Sequence, residues 1–329
     1  MDKSIIGAER RVNSRSGTVD YVKDGKLIFR THPIERPFLV FQLGSSDPCL
    51  ALQAALTVQQ DVAAFDLNCG CPKRFSLQAG MGAALLKRPE LLCSILEALI
   101  AGTERPVSAK IRLFLDELAK TEDLIRRIIK TGVSALTIHT RDPVERSEKH
   151  PAHWNLFVRL AEVVKEANVE AHGLDSEKYA TLVLNGDVGL KGNCSYSPEM
   201  DLRTIMKLTG ATSIMSARAV QWNPLCIRDL RSFLDTETEG FIPTQPTIEM
   251  LFEASKIYLH YAFETENPFH NTKYILLQIW NQVASKDGQG RFMAVAVQQA
   301  KCNADYSRLF EIEHQFLGNY SDVEEYLDE

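Results

Sequence analysis

At 329 residues, 45% hydrophobic and 24% charged, the chain has the composition of a soluble globular protein with room for one large core and an appended domain. No window approaches eighteen uninterrupted apolar residues, and the opening MDKSIIGAERRVNSRSG lacks the succession of a secretory signal, so a membrane-spanning or exported protein is not expected. Net charge is −6, and residues 246–329 hold six basic against thirteen acidic side chains (net −7), which leaves the first 245 near +1.

A nucleic acid would therefore have to meet a local basic patch, such as Arg10, Arg11 and Arg15, or Lys73 and Arg74, or Arg141 and Arg146. The seven cysteines (49, 69, 71, 93, 194, 226, 302) are odd in number and scattered, which suits reduced thiols in an intracellular compartment.

In chain order, residues 1–37 are polar and irregular, apart from a hairpin in which TVDYV and LIFRT flank Asp24-Gly25. Then a rhythm begins. Strand-like runs at 38–44, 63–69, 107–113, 135–141, 181–187 and 213–219 are followed by helical patterns at 48–60, 83–101, 116–131, 152–167, 198–209 and 223–234. This alternation implies parallel strands joined by right-handed crossovers. Polar residues gather at the C-terminal ends of the runs: Gln42, Asn68, Lys110 and Arg112, His139 and Arg141, Asn185 and Asp187, Arg218. A barrel of βα units builds its active site at that end.

The fold class expected is α/β, a TIM-type (β/α) barrel with six of eight strands evident and its N-terminal part incomplete, followed by a small all-α domain. The stretch 168–180 reads as a polar insertion before the fifth strand. The barrel is expected to span 1–240 and a Pro-containing linker 241–246. Helices at 247–263, 271–285, 291–303 and 305–316 make up a helical domain over 247–316, and an acidic tail fills 317–329.

The segment from Asn68 to Pro72 holds more chemistry than a connection needs. An amide (Asn68), a hinge (Gly70) and a thiol (Cys71) fixed by Pro72 follow a buried strand, and a thiol so placed can act as acid or nucleophile. The C-x-C pair lacks a second ligand pair at metal spacing, so no metal is expected. Lys110 and Arg112 share one face of their strand, as do His139 and Arg141, and four bases aimed into one cleft call for an electron-rich or anionic ligand. Asn185-Gly186-Asp187 and Ser216-Ala217-Arg218 end the last two strands with small residues, which suits a phosphate. No G-x-G-x-x-G follows a strand, so a Rossmann pocket is not expected.

Asp66-Leu67-Asn68-Cys69-Gly70-Cys71-Pro72-Lys73, followed by Gly80-Met81-Gly82-Ala83-Ala84-Leu85-Leu86, resembles the signature of the tRNA-dihydrouridine synthases. The companions FQLG (41–44), KIR (110–112), HTR (139–141), NGD (185–187) and ARA (217–219) fall in family order. With Asn271-Thr272-Lys273-Tyr274, the form is similar to the eukaryotic tRNA-dihydrouridine(20) synthases.

The resemblance implies an FMN-dependent reductase of uridine in tRNA, with NADPH as transient reductant; the chain is expected to be monomeric and cytoplasmic, with a nuclear location besides left open. It implies that Gln42, Lys110 and His139 contact the ring and ribityl part of FMN, and that Asn185, Gly186, Asp187, Ala217 and Arg218 hold its phosphate. Cys71 would protonate C5 of the uracil, and Asn68, Arg112, Arg141 and Lys273 would hold the substrate. Family members begin with a strand, helix and strand that this sequence lacks. The alternative reading is therefore a catalytically silent relic that binds RNA or protein.

Overall fold

The computed structural model describes residues 2–145, 149–190, 202–236, 245–284 and 288–312. Arg146, Cys194, the acidic tail and most of the expected linker lie outside them. The described residues form two compact units, one up to Ser216 and the other from Ala217 onward. The division falls earlier than the boundary expected at 240, because the helices after the last strand group with the helical unit. One of them, Arg218–Trp222, packs on the helix Phe269–Trp280.

In the first unit, strands β1 (Glu9–Val12), β2 (Val19–Lys23) and β3 (Lys26–Thr31) form an antiparallel sheet. The expected hairpin is β2–β3, where Asp24 (φ 51°) and Gly25 (φ 73°) take the two left-handed positions of a tight turn. β1 was not expected, because its ERRV is fully exposed and shows no apolar alternation. It is anchored by Arg10, which donates to both oxygens of Asp61 at 2.7 and 2.9 Å, while the buried Tyr21 hydroxyl donates to the same carboxylate at 2.5 Å.

The second sheet is parallel and has six strands in sequence order: β4 (Val40–Leu43), β5 (Ala64–Cys69), β6 (Val107–Arg112), β7 (Ala135–His139), β8 (Thr181–Asn185) and β9 (Ser213–Met215). All six expected strands are present; β5 ends at Cys69 as its sequence run does, and the other five end sooner than theirs.

The crossovers carry α1 (Pro48–Val58), α2 (Pro89–Gly102), α3 (Leu118–Lys130), α4 (Phe157–His172) and α5 (Leu202–Thr209). α1 starts at Asp47, whose carboxylate accepts the Leu50 N–H, with Pro48 in the first turn. The run 83–101 is not one helix. A 3₁₀ turn over Gly82–Lys87 stops at Arg88 (φ −135°, ψ 62°), since Pro89 bars the helical region to its predecessor and then opens α2. The stretch 168–180 is only partly an insertion: α4 continues to His172 and ends at Gly173 (φ 61°). Asn168 is buried there, and its side chain clamps both backbone groups of Ala180 at 2.8 and 3.1 Å, just before β8.

Register decides what each face of the parallel sheet presents. Phe65, Val107 and the buried Leu67, Ala109 and Leu136 line up in rows, as do Cys69, Ile111, Ile138 and Leu184, and all belong to the core. The alternate positions also line up, as Gln42, Asp66 and Ser108, then Asn68, Lys110 and Thr137, then Arg112, His139 and Asn185. One face is thus apolar and the other polar. The strands alternate in character along their length, and β6 alternates buried and half-buried residues throughout. Each large apolar side chain buried here contributes about 1.5–3 kcal/mol, which fixes the orientation of the whole sheet.

The second unit holds α6 (Arg218–Trp222), α7 (Cys226–Asp235), α8 (Ile248–Glu264), α9 (Phe269–Trp280), α10 (Gly288–Gln299) and α11 (Asn303–Leu309). Its core gathers Leu251, Leu259, Phe263, Leu276, Trp280, Val297, Tyr306 and Phe310. The buried Trp280 indole donates to Ser255 at 3.2 Å.

Burial pushes the Asp61 carboxyl up, but hydrogen bonds from Arg10 and Tyr21 outweigh it and hold it below its ordinary value. Its contribution to stability is therefore full above the ordinary carboxylate range and is lost as pH falls through the lowered value. Urea unfolding of the parent and of Asp61→Asn should differ by roughly 1–3 kcal/mol near neutrality, with the gap closing below about pH 4.

Candidate active site

The polar face converges on the loop that follows β5. Asn68, at half-buried depth, turns its side-chain oxygen back to accept the N–H groups of Gly70 (3.1 Å) and Cys71 (3.0 Å). This Asx-type closure needs an Asn or Asp at the start and freedom at Gly70, whose Cβ would stand 3.2 Å from Arg112 Cγ. Pro72 restricts Cys71 from the other side. The Cys71 carbonyl then accepts the Ala83 N–H at 3.0 Å. Gly82 is left-handed (φ 62°), and a Cβ there would meet Ser76 Oγ and stand 2.7 Å from the Cys71 carbonyl oxygen. The glycine of this loop is thus required twice over, by its φ and by its neighbours.

The two thiols have different environments. Cys69 ends β5 on the apolar face, fully buried, and burial raises it well above an ordinary thiol, so it is an inert core residue. Cys71 is half-buried beyond the strand end.

Lys110 and Arg112 stand together on the polar face of β6, and the register with both cations turned away from the core is the one found. Desolvation, then the Arg112 charge, brings the Lys110 ammonium down to about 8, with Asp66 and Cys71 pulling the other way. Among the described residues, no acceptor stands within hydrogen-bond distance of it. Arg112 is also lowered, by burial first and by Arg141 second, and its guanidinium donates to the carbonyls of Asp142 (2.9 Å) and Glu145 (3.3 Å). Glu145 is tied in turn to His153 at 2.8 Å and to the Asp142 N–H at 2.8 Å, so the loop after β7 braces Arg112.

Gln42 and Asn68 join the same face. Gln42 donates to Asp66 at 2.8 Å and accepts from Asn68 at 2.9 Å. His139 accepts on Nε2 from Arg141 at 2.9 Å. A guanidinium can only donate, so Nε2 is unprotonated and the ring proton sits on Nδ1.

Arg141 departs from expectation as a substrate contact. It is 1% exposed, and its guanidinium donates to Asp187 (2.5 Å), His139 and the His150 carbonyl (2.8 Å). The Asn185-Gly186-Asp187 segment is likewise an internal knot. Asn185 donates to the Met215 carbonyl at 2.8 Å, Gly186 accepts the Trp154 indole N–H at 2.7 Å, and Asp187 also accepts the Ala152 N–H at 2.9 Å. Gly186 (φ 114°) has no room for a side chain against Ala152 and His139. The Asn185 and Asp187 side chains, two of those expected to hold a phosphate, are thus engaged inside the protein.

Ala217 and Arg218 begin the second unit, where the Arg218 guanidinium lies 5.5 Å from the Trp222 ring. Lys273 donates to the Ala300 carbonyl at 2.9 Å and stands over Phe269, closing the end of α10 on α9. Of the candidate basic patches, Arg10 and Arg11 are ion-paired with Asp61 and Glu9, whereas Lys73 and Arg74 are exposed beside the thiol loop.

Sequence reasoning gave no role to Asp66, Ser108, Trp154 or Glu145. Only Asp66 had a legible signal, an acid two residues before Asn68 and so on its face. Among the described residues, no cluster could hold a metal and no helix is long and apolar enough to cross a membrane.

The family description that matches the chain is dihydrouridine synthase (Dus), over residues 18–304. The tRNA-dihydrouridine(20) synthase [NAD(P)+] of Schizosaccharomyces pombe is 37% identical over 324 residues, covering 96% of this chain and 59% of that protein. The Saccharomyces cerevisiae protein of the same name is 44% identical over 181 residues, 51% of this chain and 47% of that one. A mouse tRNA-dihydrouridine(20a/20b) synthase [NAD(P)+]-like protein is 32% identical over 200 residues, 60% of this chain and 53% of that one. The chain spans about half the length of the curated relatives it matches.

Two measurements check the site. Gly82→Ala forces a left-handed alanine into the Cys71 carbonyl, and should destabilise the chain by roughly 1–3 kcal/mol in urea unfolding and change the alkylation rate of Cys71. Because Lys110 is lowered on folding, the unfolded chain binds more protons between pH 8 and 10.5. Parent stability should therefore rise through that window relative to Lys110→Met.

Proposed function

The chain belongs to the dihydrouridine synthase family, and on that premise we propose that it reduces a uridine of tRNA to 5,6-dihydrouridine with FMN as bound cofactor and NADPH as reductant. The observation that supports this reading most directly is the convergence on one sheet face of a braced thiol loop and a Lys110 ammonium that has no acceptor among the described residues. The likeness to proteins named tRNA-dihydrouridine(20) synthase makes uridine 20 of the D-loop the proposed target.

The side chains fit an electron-rich ring. Gln42 and Asn68 each keep one amide N–H beyond their mutual bonds, and with Lys110 they offer donors to carbonyl oxygens or a ring that gains negative charge. FMN held against Gln42, Asn68 and Lys110 would supply the hydride for C6 of the uracil.

The remaining work belongs to the chain. Asn68 accepts the backbone N–H groups of Gly70 and Cys71, which fixes the thiol for proton delivery from Sγ to C5. Lys110 and Arg112 favour negative charge on the neighbouring ring and on the substrate carbonyls while that proton is in flight. Arg141 and Asp187 hold the His139 ring and the ends of β7 and β8. The target base must leave its stack to reach this face, and the exposed Lys73 and Arg74 are proposed to meet its flanking phosphates. The helical unit, which includes Arg218 and Lys273, is proposed to hold the body of the tRNA.

The test is Cys71→Ala in the full chain. FMN released on denaturation should stay at the parental ratio, while dihydrouridine formation on tRNA, read by mass spectrometry of the nucleosides, falls by about 10²–10⁴-fold. Unchanged turnover would remove Cys71 as the acid, and a colourless parent chain would remove the enzyme reading itself.

A further inference from the structure

Asp66 is an acid in the middle of β5, 4% exposed, in register with Gln42 on one side and Ser108 on the other. Its Oδ1 accepts the Ser108 hydroxyl at 2.8 Å and its Oδ2 accepts the Gln42 amide at 2.8 Å. Gln42 Oε1 accepts from Asn68 Nδ2 at 2.9 Å, and Asn68 Oδ1 accepts the N–H groups of Gly70 and Cys71. A continuous chain of hydrogen bonds therefore runs from a buried carboxylate to the backbone of the thiol loop.

The direction of that chain is determined at both ends. Backbone N–H groups only donate, so Asn68 must give them its oxygen, and its NH₂ is left for Gln42. An oxygen of Asp66 that faces an amide NH₂ accepts, so Gln42 must give it its NH₂ and turn its own oxygen to Asn68. The two requirements agree, and neither amide can flip without breaking at least two bonds. The result holds for an ionised or a protonated acid, because a protonated Oδ1 can donate to the Ser108 hydroxyl, which passes its own hydrogen to the Phe65 carbonyl 3.3 Å away.

We propose that Asp66 is a positioning residue of the reaction: through Gln42 and Asn68 it fixes the polarity of both amides, which holds the Gly70–Cys71 backbone and turns only N–H donors toward the ligand side of the sheet. The functional consequence rests on the reading of Cys71 as proton donor, while the relay itself does not. An acid buried for stability alone would affect the whole fold and leave the loop no looser than its surroundings. A positioning acid acts on two named amides.

The same geometry makes the conservative variant informative. In Asp66→Asn, the side-chain oxygen can take the place of Oδ2 while the NH₂ donates to Ser108, so the relay keeps its direction without the charge. In Asp66→Leu the acceptor is gone. Gln42→Leu cuts the relay at an exposed residue where folding is not at stake.

Hydrogen exchange read by mass spectrometry on the peptide spanning 65–75, in the full chain without tRNA, is the deciding measurement. Asp66→Asn should leave the Gly70 and Cys71 amides within about twofold of the parent, while Asp66→Leu and Gln42→Leu speed both by about tenfold or more. On tRNA, Asp66→Leu should lower kcat by about tenfold with little change in KM, and Asp66→Asn should restore it. If Asp66→Leu does not fold, Gln42→Leu alone decides the exchange. Parental exchange in the leucine variants overturns the relay. So does loosening in Asp66→Asn as large as in Asp66→Leu, because charge rather than acceptor position would then be responsible. Absence of tRNA turnover in the parent would overturn the function of the preceding section and leave the exchange result standing.

Discussion

Every polar group of the site stands where it does because six strands pair in parallel, in register from β4 to β9. Register has period two, so a slip of one residue in β6 would press Lys110 and Arg112 against the core and turn Val107, Ala109 and Ile111 to the polar side. Three buried aliphatic positions and two desolvated cations oppose that slip together, by several kcal/mol on either account. The apolar face thus selects the polar one. Sequence patterns that look like core packing are what aim the functional side chains.

Within the polar face, order comes from groups that can play only one part in a hydrogen bond. A guanidinium donates and never accepts, so Arg141 dictates the tautomer of His139. A carboxylate accepts, so Asp187 holds Arg141 and the Ala152 N–H, and Asp66 directs Gln42 and Asn68. The ambivalent groups, imidazole and amide, sit between these fixed ends and take their orientation from them. Arg141 with Asp187 is a buried pair in which removal of either partner would strand the other, typically at about 3–5 kcal/mol. That cost is a reason for both to persist without touching a ligand.

What could be read from the sequence follows the range of the interaction involved. The six strands, the Asp24-Gly25 hairpin and the crossover helices rest on local pattern, and they are found close to where the pattern puts them. The break at Arg88 was legible in Pro89 but was overridden by an apolar run that looked like one helix. The last turns of α4 were lost to the polar reading of 168–180, because Asn168 has the character of a loop residue apart from its clamp on Ala180. The side chains of the candidate site were legible as a set. Their partners were not, since Arg141 meets Asp187 across 46 residues and Trp154 meets Gly186 across 32. Burial turned Arg141 from an expected substrate contact into an internal strut, and tertiary pairing alone could have revealed that.

The electrostatics of the polar face bear on how it would take a ligand. Burial and the Arg112 charge weaken the hold of Lys110 on its proton, and burial and the Arg141 charge weaken that of Arg112, so the folded chain keeps two cations at an energetic disadvantage. Arg112 relieves its share through the carbonyls of Asp142 and Glu145, whereas Lys110 has no such acceptor among the described residues and is attracted chiefly by the nearby Asp66 carboxylate. An electron-rich ring set against Lys110 would reverse that disadvantage, and its binding free energy would include relief of a cost already present in the folded state. The gain would grow as negative charge builds on the ring, so under the proposed function the same ammonium would favour the reduced form over the oxidised one. A neutral donor at position 110 could make the hydrogen bond but not the distinction, and it is the distinction that the proposed reduction would need.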